Sequence, residues 1–337
     1  MKHIYAKTSV AMALLGCLLA SCATHTPAGS ARGSWPKKVF APYAYIPRNN
    51  TSMMPAFSIT NCYAEIGQKY YTLAFIISDR NGVPSWAGNT NLHVGSHYYA
   101  DQIKAVRDGG GDVLISFGGA AGSEIAFVTT NEVTLQQQYQ SVIDEYHLTW
   151  MDFDIEGRSM TNLVANRRRN LVLKNLQQKN PHLRISFTLG VNPTGMGTNS
   201  MGLLNDAHRQ GVKIESVNVM TMYFGSRFNV GTNLGDLCIL SANAAHKQVA
   251  GIDPAIKIGI TPLIGTNSNS HETFNLEDAK TILDFARKTD WVESIGFWQT
   301  VRDRAPAASG APRGGGERSG IDQKDWDFSK ILKPLSL

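Results

Sequence analysis

The chain has 337 residues, 42% of them hydrophobic, which is ample for a large core and fits one big domain or two small ones. The formal net charge of +5 falls to +3 without the first 21 residues, which hold Lys2 and Lys7 and no acid. So mild an excess gives no ground for a nucleic-acid partner. His and Cys nowhere fall at metal-ligand spacing, so neither a metal nor another cofactor is expected.

In chain order, Lys2 and Lys7 precede the apolar run "VAMALLGCLLA" (residues 10–20), too short to span a membrane but right for a signal h-region. "LASC" (residues 19–22) resembles the lipobox of bacterial lipoproteins. The resemblance implies a signal over residues 1–21 and a lipid on Cys22; an ordinary secretory signal cleaved nearby is the other reading. Ala23 stands where an acidic retention signal would, which favours the outer membrane of a Gram-negative cell over the inner one. The only membrane contact expected is through that lipid. "THTPAGSARGS" reads as a flexible tether, taken over residues 22–36. Of four cysteines Cys17 lies in the signal, and Cys62 and Cys238 remain, able to pair in an oxidising compartment but too few to make a framework.

Residues 37–335 then alternate β-rich runs with helical periodicity. The strands are expected at 39–45, 71–77, 112–119, 150–156, 184–190, 216–223, 257–263 and 294–298. Amphipathic helices are expected at 97–110, 134–147 and 275–288, the last with Asn275 as its cap and cations at its far end. The triplet Arg167–Arg168–Arg169 reads as the solvated face of a helix. Eight strand–helix units predict an α/β fold, a single (β/α)8 TIM barrel. An open doubly wound sheet is the alternative, but no Gly-x-Gly-x-x-Gly turn follows the first strand. Residues 304–320, rich in Gly, Pro, Ala and Arg, read as a loose loop on the rim after the eighth strand.

One strand breaks the apolar rule for a parallel sheet covered on both faces. In "WMDFDIEG" (residues 150–157) the acids Asp152, Asp154 and Glu156 alternate with Met151, Phe153 and Ile155. Side chains two apart share a face, so the acids project together, roughly 6–7 Å from one to the next. Inside a barrel each acid carries a desolvation cost and they repel one another, so the cluster holds a proton at neutral pH. Asp152 is expected deepest and Glu156 at the rim, at the strand end where barrel enzymes place their chemistry.

These residues resemble family-18 glycoside hydrolases, the chitinase family, whose fourth strand carries Asp-x-x-Asp-x-Asp-x-Glu. Asp152, Asp154 and Glu156 match its last three acids, and Thr149 replaces the first. "SFGG" (residues 116–119, with Gly118 in the site), "VNVMTM" (217–222) and "GFW" (296–298) resemble the third, sixth and eighth strands of the family. "FAPY", "YTLAFI", "TPLIG" and "VRD" are similar to the bacterial chitinase D type. The resemblance runs from about Val39 to Lys333. It departs at Tyr223, where the family has an aspartate that helps hold the sugar, and at Phe224, where a tyrosine is usual.

The resemblance implies a monomeric hydrolase of chitin or other N-acetylglucosamine-containing oligosaccharides, working by substrate assistance. Glu156 would be the acid and base, Asp154 would meet the acetamido N–H, and Asp152 would share a proton with Asp154. Trp298 would floor the sugar site. Met220 and Met222 would shape the pocket by packing. Tyr43 and Tyr223 are either acetamido partners or packing residues, and Trp86 is either an outer sugar platform or a loop anchor. Two other functions share the fold: a non-catalytic sugar binder, which typically loses the glutamate present here as Glu156, and an endo-β-N-acetylglucosaminidase acting on N-glycans.

Overall fold

The computed structural model describes residues 35–46, 57–229, 233–267, 272–306 and 317–337. The expected signal, Cys22 and the first part of the tether lie outside the described residues, as do residues 307–316 of the rim loop.

The strands are β1 (Val39–Phe40), β2 (Tyr43–Tyr45), β3 (Tyr70–Ser78), β4 (Pro84–Trp86), β5 (Asp112–Gly118) and β6 (Trp150–Asp154). They continue as β7 (Arg184–Gly190), β8 (Ile214–Thr221), β9 (Lys257–Pro262), β10 (Gly265–Asn267), β11 (Glu272–Phe274) and β12 (Val292–Ile295). The helices are α1 (Ile59–Ile66), α2 (Ala100–Asp108), α3 (Ile125–Val128), α4 (Glu132–Tyr146), α5 (Gly157–Thr161) and α6 (Leu163–Lys179). After them come α7 (Thr198–Gln210), α8 (Ser226–Asn229), α9 (Leu234–Ala250), α10 (Leu276–Lys288) and α11 (Asp327–Leu332).

Parallel pairing runs β1-β12-β9-β8-β7-β6-β5-β3-β2. Its two ends are halves of one expected strand. Pro42, which has no N–H to give, divides residues 39–45. Below it Ala41 donates to the Ile295 carbonyl at 2.9 Å; above it the Tyr43 N–H reaches the Phe297 carbonyl at 3.1 Å. The Pro42 carbonyl itself accepts the Thr72 N–H at 3.1 Å. One segment thus pairs with the last strand and the second, and the sheet closes with eight staves, which excludes the open doubly wound alternative. Three short strands were not expected: β4, antiparallel on β3, and the hairpin β10–β11 after β9.

Parity decides what faces what. Phe117, Phe153 and Phe187 sit side by side on the outer surface of the barrel, with ring centroids 5.2 Å and 6.0 Å apart and Tyr139 of α4 edge-on against the first two. All four are buried, and each such side chain stabilises by about 1.5–3 kcal/mol. Their strand neighbours turn inward, where Asp152 lies across from Ser116 and Ser186, and Asp154 from Gly118 and Thr188.

Two boundary readings change. Trp35, assigned to the tether, belongs to the fold: it plugs the lower end of the barrel against Tyr70 and Trp150, with centroids at 5.3 Å and 5.0 Å. Its indole donates to Thr149 Oγ1 at 3.0 Å, so the residue that replaces the first acid of the motif serves this plug. The arginine triplet is not a solvated face. Only Arg167 is exposed, whereas Arg169 is fully buried and paired with Glu124 at 3.1 Å. Position 169 falls on the apolar stripe of α6 with Ala165, Val172, Leu173 and Leu176, so its charge needs an acid from the neighbouring loop. Cys62 and Cys238 are both free thiols, on α1 and α9, and burial pushes each up to about 12.

Candidate active site

At the C-terminal end of the strands a cleft of about 700 Å³ opens over the acidic strand. Of the residues singled out by sequence, Asp154, Glu156, Tyr43, Gly118, Met220, Met222, Tyr223 and Trp298 line it. Trp86 does not. It is fully buried, its indole donates to the Tyr146 hydroxyl at 2.8 Å, and it packs edge-on to that ring, so it anchors a loop.

Asp152 lies beneath the cleft, buried, and meets only uncharged donors. Ser116 donates to Oδ2 and Ser186 to Oδ1, both at 2.7 Å. Thr188 Oγ1 is 2.9 Å from each oxygen, and the Tyr43 hydroxyl reaches Oδ2 at 3.3 Å. Behind them Thr261 donates to Asn218 Oδ1 at 2.9 Å, and Asn218 Nδ2 donates to the Tyr43 hydroxyl (3.1 Å) and to Thr188 Oγ1 (3.0 Å). Burial raises the Asp152 carboxyl above the usual range, and the hydroxyls pull the other way.

Asp154 is placed differently. No N–H or hydroxyl among the described residues reaches its Oδ1. Burial, then the charges of Glu156 and Asp152, hold its carboxyl well above the ordinary range, and a hydrogen bond with Glu156 adds to the rise. Glu156, half-buried beyond the strand end, is also raised by burial and partly relieved by that bond. The expected proton partner of Asp154 was Asp152. In the folded chain a side-chain hydrogen bond links Asp154 to Glu156, and the charge of Asp152 adds to the rise of Asp154.

The third strand reaches the acids through glycine. Gly118 has φ +105°, and a Cβ there would lie 2.1 Å from the Asp154 carbonyl, so only glycine lets the turn cross. The next residue, Gly119, donates its N–H to that carbonyl at 2.9 Å. On the opposite side Trp298 lies half-buried and stacks on Phe75, with centroids 5.6 Å apart and planes 16° apart. Tyr43 and Tyr45 flank it at 5.8 Å and 6.4 Å. Tyr223 is 55% exposed at the mouth, where Glu272 of β11 accepts the backbone N–H groups of Tyr223 and Gly225, each at 2.9 Å. Sequence reasoning missed Tyr45, Phe75, Ser186, Thr188, Asn218 and Thr261. The last four are polar residues at the inward parity of otherwise apolar strands.

A closed eight-stave barrel with stacked carboxylates at its fourth stave and an aromatic floor beside them is the architecture of the (β/α)8 glycoside hydrolases. Within that class the chain belongs to family 18. A probable bifunctional chitinase/lysozyme of Escherichia coli (strain K12) is 32% identical over 330 residues, 91% of this chain and 36% of that protein. Endochitinase 11 of Metarhizium anisopliae is 34% identical over 300 residues, 83% of this chain and 55% of that protein. The chain therefore spans about a third to a half of the length of these curated relatives. The catalytic domain of a hyperthermophilic chitinase from Pyrococcus furiosus superposes with a TM-score of 0.77 at 28% identity, covering 91% of this chain and 97% of that one. Catalytic-site mutants of active domain 2 of a thermostable chitinase from the same organism, complexed with chito-oligosaccharides, match with a TM-score of 0.76 at 28% identity, covering 90% and 96%. No family model matches the chain.

Proposed function

We propose that this chain hydrolyses β-1,4 bonds between N-acetylglucosamine units of chitin or chito-oligosaccharides, with retention and with help from the substrate. The observation that carries the reading is the Asp154–Glu156 pair, two hydrogen-bonded carboxyls that line the cleft together at the head of the ladder, both raised by burial. The Pyrococcus furiosus relative, solved with chito-oligosaccharides, supports the substrate class.

An acetamido N–H presented to Asp154 favours its ionised form, which leaves the shared proton on Glu156, where the leaving group needs it. The acetamido carbonyl oxygen attacks C1, the C1–O bond breaks, and Glu156 gives its proton to the departing oxygen. Asp154 then faces the cationic oxazolinium. Water enters from the side the leaving group vacated, Glu156 takes its proton, and the water oxygen bonds C1 as the C1–O bond to the acetamido oxygen opens, which restores the acetamido group and the original configuration. Trp298, steadied by Phe75, supplies the floor for the sugar ring.

We also propose that the mature chain begins at a lipidated Cys22 and is held at the outer membrane; "LASC" and the neutral Ala23 support this. Products from chito-oligosaccharides of defined length test the hydrolase reading. The parent should yield shorter oligomers, and Glu156→Gln should bind them while losing roughly 10²–10⁴-fold in turnover. Binding by the parent with no cleavage would make the chain a sugar-binding barrel instead. Cleavage of N-glycan cores with chito-oligomers left intact would make it an endo-β-N-acetylglucosaminidase.

A further inference from the structure

The end of the barrel opposite the cleft carries an uneven charge. The turns that lead into the eight staves hold Lys37, Lys38, Lys69 and Lys213, and Lys257 opens β9. Against these, the same turns hold two acids, Asp253 and Asp290. Lys38 has a structural duty, since its ammonium meets the Ala286 and Thr289 carbonyls at the end of α10. Lys37 faces Asp290 at 3.8 Å with both side chains open to water, a pair that contributes little. Lys69 and Lys213 are exposed, and neither enters an ion pair among the described residues. Cations crowd one another here: burial lowers the Lys38 ammonium first, Asp290 raises it in part, and Lys37 and Lys257 lower it again.

Beside Lys213 a depression of about 520 Å³ lies between the end of α6 and the starts of β7 and β8. Lys174, His182, Arg184 and Lys213 line it, and its one acid, Glu215, is paired with Arg184 at 3.1 Å. The chain also joins the fold on this face. Trp35 plugs the lower end of the barrel, and twelve residues separate it from Cys22, a reach of about 40 Å at full extension. A lipid on Cys22 would therefore draw this end, and not the cleft, toward the bilayer.

We infer that the lysine face at the lower end of the barrel docks on an anionic phospholipid surface, with headgroup phosphates in the depression beside Lys213. The inference builds on the proposed lipid at Cys22, although the face binds through its own charges. Each lysine brought against such a surface strengthens binding about fivefold. The anchor selects a bilayer over a soluble polyanion, because it holds the bilayer beside this face at a millimolar order of effective concentration. The strands run from this face up to the cleft. Docking therefore turns Glu156 away from the bilayer, toward glycan chains in the surrounding solution.

The test uses the chain from residue 22 onward with Cys22→Ser, so that no lipid holds it. The probes are vesicles of phosphatidylcholine with and without a third of phosphatidylglycerol. Cosedimentation at about 0.05 M salt should show binding to the acidic vesicles alone, with release at about 0.5 M. Lys37→Glu/Lys69→Glu/Lys213→Glu should bind at least about tenfold more weakly than Arg80→Glu/Lys280→Glu/Lys324→Glu, which makes the same change of charge toward the cleft end. Equal loss in both sets would reduce binding to net charge and overturn the inference. So would a parent that ignores acidic vesicles, or one that prefers isolated peptidoglycan to them. Melting curves show whether each set folds; Lys37→Gln/Lys69→Gln/Lys213→Gln replaces the glutamate set if that one does not. Vesicle binding by this unlipidated chain is read apart from the acyl mass on Cys22, so the docking face and the anchor fail separately.

Discussion

Asp154→Asn should make the protein more stable and nearly inactive, and the gain should depend on pH. In the folded chain burial and two neighbouring carboxylates raise the Asp154 carboxyl well above its unfolded value. The folded state therefore binds more protons than the unfolded state at pH values between the two, so stability falls as pH rises through that window. Each pH unit of the window takes away about 1.4 kcal/mol per group, and for a chain of this size 1 kcal/mol moves Tm by about 2 °C. The amide is nearly isosteric and forfeits no donor at Oδ1, and its N–H can keep the hydrogen bond with Glu156. Melting curves of parent and variant from pH 4 to 8 check this. They should converge near pH 4 and separate by several degrees at pH 8 with the variant higher, while turnover falls roughly 10²–10³-fold. A variant less stable at pH 8, or a difference that ignores pH, would refute the electrostatic account of the ladder.

Substrate assistance requires the 2-acetamido group, so fully deacetylated chitosan should be cleaved far more slowly than chitin oligomers; comparable rates would contradict the mechanism. Mass analysis of the mature amino terminus should find an acylated Cys22, and Cys22→Ser should leave the precursor uncleaved or release it into the soluble fraction. A terminus elsewhere without acyl mass would show a plain secretory signal.

The acidic ladder was legible because a period of two is unambiguous when acids and apolar residues alternate, and the register of β6 with β5 and β7 carries the acids inward as that period demands. The hydroxyls around Asp152 obey the same parity, but Ser and Thr are tolerated at so many places that Ser186 and Thr188 give no signal until an acid is known to face them. The break at Pro42 had a visible cause, a proline inside an expected strand. Its consequence, that the two halves serve opposite ends of the sheet, depends on closure, which no local pattern records. Arg169 was misread because three adjacent cations look like a wet surface, while the helical period puts only one of them inward. Tyr45 and Phe75 lie on different strands, and only the closed barrel brings them to Trp298.

The choice of partners for Asp152 bears on catalysis. An arginine at hydrogen-bond distance would lower a neighbouring carboxyl by about 1–3 pH units and compete for the charge that Asp154 and Glu156 need to exchange. Ser116, Ser186, Thr188 and Tyr43 satisfy the oxygens of Asp152 without adding a positive charge. In the proposed mechanism the ladder therefore keeps its negative field for a cation that arrives only in the reaction. That field does little for a neutral bound sugar and much for an oxazolinium, so it favours the reaction's charged intermediate over its ground state. The cost appears as strain among raised carboxyls in the empty protein, the same strain that Asp154→Asn is expected to release.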